Sequence, residues 1–148
     1  MGAEVQPDKD KVMSEDLIDR IKAHEGYRRF AYECSEGRLT IGYGTMIENG
    51  GHGIPEAIAE ALLTDYLNVI WAKMYAKTWF TDLNQARQEC IVEMCYQLGI
   101  TGVCGFKNMI SKLQSKDWEG ASKEALDSAW AKQTPARAAE VAERLAQG

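Results

Sequence analysis

His24-Glu25-Gly26-Tyr27-Arg28-Arg29-Phe30-Ala31-Tyr32-Glu33-Cys34-Ser35-Glu36-Gly37-Arg38-Leu39-Thr40-Ile41-Gly42-Tyr43-Gly44 is the stretch in which a helix ends and a hairpin follows. Upstream of it, Ser14 is a good N-cap, with Glu15 and Asp16 in the first turn, where the helix dipole favours negative charge. Leu17, Ile18, Ile21 and Glu25 recur at helical spacing, and Gly26 supplies a stop. The spacing therefore predicts a helix carrying Glu25 on its apolar face at the C-terminal end. Desolvation and dipole sign both disfavour a carboxylate there, so its pKa is expected to be raised. Residues 27–45 read as strands. Phe30 and Tyr32 alternate, Cys34-Ser35-Glu36-Gly37 has turn chemistry, and Leu39, Ile41 and Tyr43 alternate with Thr40 and Gly42.

Outward from the hairpin come loop residues Asn49-Gly50-Gly51-His52-Gly53, and then Pro55, suited to a first helical turn. From Glu56 to about Tyr75 no further Pro or Gly occurs, and Ile58, Leu62, Tyr66 and Val69 form one stripe. Such a helix spans ~30 Å and is long enough to bridge two lobes. Four more helices are expected: Asn84 to Leu98, ended by Gly99; Phe106 to Leu113; an alanine-rich Trp118 to Trp130; and a last one opened by Thr134-Pro135. The fold class is α+β, with a small N-terminal β-hairpin lobe and a helical C-terminal lobe joined by a long helix. The expected division is a disordered leader over 1–13 and one domain over 14–148, with lobes at 14–70 and 71–148. Met13 is open to reading as an internal start.

The 148 residues suffice for one domain or two small lobes sharing a core. The net charge of −5 argues against a nucleic-acid binder and against attraction to anionic membranes. No apolar run approaches the ~20 residues of a membrane span, and the N-terminus lacks the pattern of a secretory signal peptide. Cys34, Cys90, Cys95 and Cys104 form no CxxC pair and only two histidines occur, so no metal site and no cofactor is expected. Cys90, Cys95 and Cys104 read as reduced thiols of the interior.

The residues suggest a chemistry. A carboxylic acid kept protonated near neutrality can donate to a leaving oxygen. Directly after Glu25 comes a hairpin with a thiol in its turn, Cys34, and a hydroxyl on its return strand, Thr40, which points away from the Leu39, Ile41 and Tyr43 face. One acid facing a polar pair across a gap is what acid-assisted hydrolysis of a glycosidic bond uses. A Cys–His hydrolase built on His24 is disfavoured, since His24 and Glu25 project about 100° apart on a helix. His52 reads as a solvated loop residue, and the four tryptophans read as packing aromatics.

Glu25, Cys34 and Thr40 form an E-x8-C-x5-T pattern with Gly42-Tyr43-Gly44 just beyond. The pattern resembles that of the phage-type lysozymes, the T-even phage lysozyme family, in which it is E-x8-(D or C)-x5-T. Gly99-Ile100-Thr101-Gly102-Val103-Cys104-Gly105-Phe106, then Trp130, then Gln133-Thr134-Pro135-x-Arg137-Ala138 are similar to further family landmarks, in the right order. The resemblance implies a muramidase that cleaves the β-1,4 bond between N-acetylmuramic acid and N-acetylglucosamine. Glu25 is then the general acid, and Cys34 and Thr40 position the attacking water. Arg137 corresponds to the arginine that approaches the acid, and Met46 and Tyr96 fall where the sugar groove is lined. The implied partner is the peptidoglycan glycan strand, met by a monomer that accumulates in the host cytoplasm, without membrane insertion, before it is released to the periplasmic wall. The owner is read as a phage, a prophage or a toxin system. A wall-binding module with catalysis lost is the alternative. Three departures stand out. Cys34 replaces the commoner aspartate, and its role as base, nucleophile or water orienter stays open. Thr45 stands where the family has histidine. The chain is acidic, whereas some members are strongly basic.

Overall fold

A computed structural model describes residues 13–148; the expectation for 1–12 lies outside them. The chain divides into two compact units, parted between Ala59 and Glu60. The first holds helix α1 (Glu15–Glu25) and strands β1 (Arg28–Glu33), β2 (Leu39–Gly42) and β3 (Thr45–Met46). Helix α2 (Glu56–Met74) begins in it and runs into the second. The second also contains α3 (Thr78–Thr81), α4 (Gln85–Cys104), α5 (Lys107–Gln114), α6 (Trp118–Leu126), α7 (Ala129–Gln133) and α8 (Pro135–Gln147). The class is α+β, as the sequence implies.

In the first unit the N-cap acts as expected: Leu17 donates its amide to the Ser14 hydroxyl at 3.3 Å. The hairpin is part of a three-stranded antiparallel sheet in the order β1-β2-β3. The third strand was not foreseen; two residues are too few to show a period. Thr40 faces Tyr32 on one side and Met46 on the other, so it sits on the central strand. The expected burial of the α1 stripe is not met. Leu17, Ile18 and Ile21 are exposed and α1 buries no residue.

The stripe Ile58, Leu62, Tyr66 and Val69 of α2 is likewise exposed, whereas Ile70 and Met74 enter the core of the second unit. That core contains Phe80, Ile91, Met94, Cys95, Val103, Met109, Leu113, Val141 and Leu145. Ala121, Ala125 and Ala138 are fully buried where α6 packs on α8, and their small side chains permit the close approach.

Gly99, at φ +78° and ψ 158°, leaves the helical conformation and ends the first stretch of α4 as expected; what the sequence did not announce is a second short helical stretch that follows it to Cys104. The alanine-rich stretch is two helices, because the Ser128 hydroxyl caps a new one through the amide of Ala131. Thr134 is the N-cap residue of α8 with Pro135 in the first turn, as expected, but its side chain makes no cap bond; its hydroxyl donates to the carbonyl of Trp130 at 3.0 Å. The Trp130 indole donates to Gln97 at 2.8 Å, which fixes the start of α7 against α4. Arg87, buried in the first turn of α4, donates to the carbonyls of Leu145 at 2.8 Å and Ala146 at 3.1 Å and stacks on Trp118. Asn84 donates to the carbonyl of Gly148 at 3.2 Å. These bonds satisfy carbonyls that the end of α8 leaves without helical partners.

Candidate active site

Gly26, at φ +70°, turns the chain out of α1, with its amide on the carbonyl of Lys22 at 2.9 Å. This leaves Glu25 on the final helical turn, where the dipole opposes a carboxylate. Its carboxyl lies against Gly44, in the turn between β2 and β3. A Cβ at that glycine would meet Glu25 Oε2 at 2.6 Å and Cδ at 3.0 Å. Gly44 also has φ +80°, so two independent reasons require glycine there. Glu25 itself is exposed, contrary to the expected desolvation. Helical periodicity locates an apolar stripe; it does not say what covers it.

Cys34 opens the hairpin turn. Its amide donates to the carbonyl of Arg38 at 2.9 Å, and its carbonyl accepts from Gly37 at 2.8 Å. Thr40 is 3% exposed, the one buried side chain among the described residues of the first unit. Its hydroxyl donates to the Arg38 carbonyl at 2.9 Å, leaving its lone pairs to accept. Hydrogen bonding from the backbone at Arg38, and next at Glu36, holds the Cys34 thiol below its ordinary pKa. Desolvation opposes the shift, the Thr40 hydroxyl adds to it, and the Glu36 charge opposes it again. The structure thus brings Cys34 and Thr40 together and tilts the thiol toward thiolate.

Met46 is half-buried on β3, with its sulfur 3.6 Å from a guanidinium nitrogen of Arg38. Its carbonyl accepts from Gly53 at 3.0 Å, and Glu48 accepts the amide of Leu39 at 2.7 Å. The loop after β3 is therefore pinned to the start of β2. Gly44 and Glu48 carry no assigned role in the sequence reading. The signal for Gly44 was present in Gly42-Tyr43-Gly44, since paired glycines at a strand end mark close approach or positive φ. Glu48 gave no signal.

Tyr96 and Arg137 belong to the second unit. They line a cavity of about 490 Å³ with Leu63, Leu67, Trp71 and Val92. Arg137 pairs with Glu93 at 3.3 Å, and Tyr96 lies 5.5 Å from the ring of Tyr66. His24 is exposed and makes no hydrogen bond to Cys34 among the described residues. Among those residues there is also no group of three side chains able to hold a metal ion, and no helix long and apolar enough to cross a membrane. The four cysteines are free thiols.

The family model for phage lysozyme matches residues 22–146, from the last turns of α1 to α8. The chain belongs to the phage lysozyme family. This lysozyme is 32% identical to an endolysin of Acyrthosiphon pisum secondary endosymbiont phage 1, over 81% of its own length and 80% of the relative's. It is 29% identical to a probable T4-type lysozyme of Dictyostelium discoideum, over 84% of its length and 90% of the relative's. A 27% match covers 94% of the lysozyme but 28% of the pre-baseplate central spike protein of Enterobacteria phage T4. It is a glycoside hydrolase, a muramidase that acts on peptidoglycan, and the reading of the fold as a mere wall-binding module is not favoured.

Proposed function

We propose that Glu25 is the general acid of this muramidase and that Cys34 and Thr40 hold the water it uses. The observation that carries the reading is the seat of the Glu25 carboxyl against Gly44, in the same three-stranded sheet whose other turn and central strand hold the polar pair. Glu25 protonates the glycosidic oxygen between N-acetylmuramic acid and N-acetylglucosamine as the bond to the anomeric carbon breaks. The Thr40 hydroxyl donates its hydrogen bond to the Arg38 carbonyl, so a lone pair is left to accept a hydrogen bond from the water. Cys34, biased toward thiolate, takes the water's other hydrogen as a proton. The water oxygen bonds to the oxocarbenium-like carbon from the opposite face as that proton leaves, so the proton given by Glu25 is matched by the one Cys34 takes.

Met46, Tyr96 and Arg137 are proposed to contact the glycan. We take the catalytic domain as 14–148, with 14–70 counted as the N-terminal lobe together with its linking helix and 71–148 as the helical lobe. It works as a monomer, stored in the host cytoplasm before release to the wall, a state that sedimentation and fractionation would test. The deciding experiment is reducing-sugar release from purified peptidoglycan by Glu25→Gln, with mass analysis of the products. A folded Glu25→Gln protein with wild-type release would remove the acid role.

A further inference from the structure

Beside the acid lies a group of side chains that the proposed chemistry does not use. Tyr27 and Tyr43 pack with ring centroids 5.6 Å apart, tilted by 49°. The Lys22 ammonium sits 5.5 Å from the centre of the Tyr43 ring. Tyr27 is 64% exposed and Tyr43 41% exposed, so the rings present open aromatic surface beside a cation. Among the described residues, Lys22 has no ion-pair partner.

The group is continuous with the proposed site. Lys22 precedes Glu25 by three residues on α1, a spacing that puts both on one helix face. Tyr43 precedes Gly44, the residue against which the Glu25 carboxyl lies. Lysine meets tyrosine where glutamate meets glycine, one step along the same two elements. Exposed tyrosines offer an apolar body with a polar tip, the surface that a sugar ring's C–H face and rim hydroxyls fit. An ammonium beside them, without an ion-pair partner among the described residues, suits a carboxylate, and peptidoglycan carries carboxylates on its stem peptides next to the sugars.

We propose that Tyr27, Tyr43 and Lys22 form a binding platform for carboxylate-bearing glycan, flanking the catalytic acid and extending the substrate site beyond the scissile bond. The proposal rests on the muramidase reading, and it is tested by binding rather than turnover. The probes are a neutral N-acetylglucosamine hexamer and a peptidoglycan-derived glycan with intact stem peptides, titrated calorimetrically into the Glu25→Gln protein. Tyr27→Ala and Tyr43→Leu are expected to weaken both probes about five- to tenfold. Tyr43→Phe keeps the ring and is expected to bind as the parent does. Lys22→Gln is expected to weaken only the peptide-bearing glycan, about threefold or more, and to flatten its salt dependence. Parent-like affinity in both tyrosine variants overturns the platform, and so does an equal loss in Tyr43→Phe. An unchanged Lys22→Gln overturns the carboxylate assignment. Failure of the acid role instead appears as hydrolysis of wall glycan by Glu25→Gln, a separate result.

Discussion

Between Met13 and Ala59 the chain buries one side chain, Thr40, whereas from Glu60 onward it builds a core of nineteen buried apolar residues starting at Ile70. Yet the proposed acid, thiol and hydroxyl all stand in the first stretch. The second is closed by α4, α6 and α8 and by the guanidinium of Arg87 on the carbonyls of Leu145 and Ala146. The difference teaches a division of labour. The proposed chemistry sits at a helix end and a small sheet fixed through hydrogen bonds, and the buried core in a helical unit fixed through packing.

The sharpest test exchanges the two roles. Glu25→Gln is expected to lower peptidoglycan hydrolysis at least ~1000-fold while leaving the thermal midpoint within a degree or two. Met94→Ala is expected to do the reverse, costing about 2–5 kcal/mol in denaturant titration and leaving kcat of the folded fraction intact. A large stability loss in the first variant would break the comparison.

Gly44→Ala should couple the two properties. Its methyl group would displace the Glu25 carboxyl and force an alanine to φ +80°, so activity is expected to fall about 100-fold, with about 1 kcal/mol of stability. The measurements are steady-state rates and unfolding of the same preparation.

The thiols of the two units should respond oppositely to pH. Burial pushes Cys95 up to about 12, with the nearby Cys104 adding to it, and Cys90 up to about 11, with Glu93 adding to it. Both stay protonated in the folded state after the unfolded chain has lost those protons near ~8.5. The folded state then binds more protons, so stability falls as pH rises above about 9. The fall in denaturation midpoint between pH 8 and 10.5 should be shallower in Cys90→Ala/Cys95→Val than in wild type. Cys34 goes the other way: its alkylation by iodoacetamide should reach half-maximal rate at a lower pH than that of free cysteine. The smallest effect is expected at Phe30. It is 78% exposed, and Phe30→Ser should change stability by less than ~0.5 kcal/mol.

Much of the architecture was legible where capping and periodicity agreed. Ser14 caps the helix it was expected to cap, and the helix expected to start at Asn84 begins at Gln85, with Asn84 as its cap. The E-x8-C-x5-T spacing was enough to assemble the thiol and the hydroxyl on one hairpin. What escaped was set by contacts outside the local chain. Gly99 reads as a terminator and does break the helix, but the short helical stretch from Ile100 to Cys104 went unseen; it is held by Val103 in the core. The break at Asp127 and Ser128 is hidden in an alanine-rich run whose composition favours helix on both sides. The exposure of Glu25 escaped for the same reason: a stripe of Leu17, Ile18 and Ile21 specifies a face, and burial depends on what meets it.

The grip of Arg87 and Asn84 on the last turn of α8 has a consequence for biosynthesis. Ala138, Val141 and Leu145 are core residues, and the carbonyls that quench a buried guanidinium are supplied by Leu145 and Ala146. A nascent chain whose α8 is still inside the ribosome lacks those pieces, so the helical unit cannot close until α8 has emerged. The sheet that bears the polar pair leaves the tunnel first, and the scaffold that outweighs it in buried surface is finished only when its last helix follows.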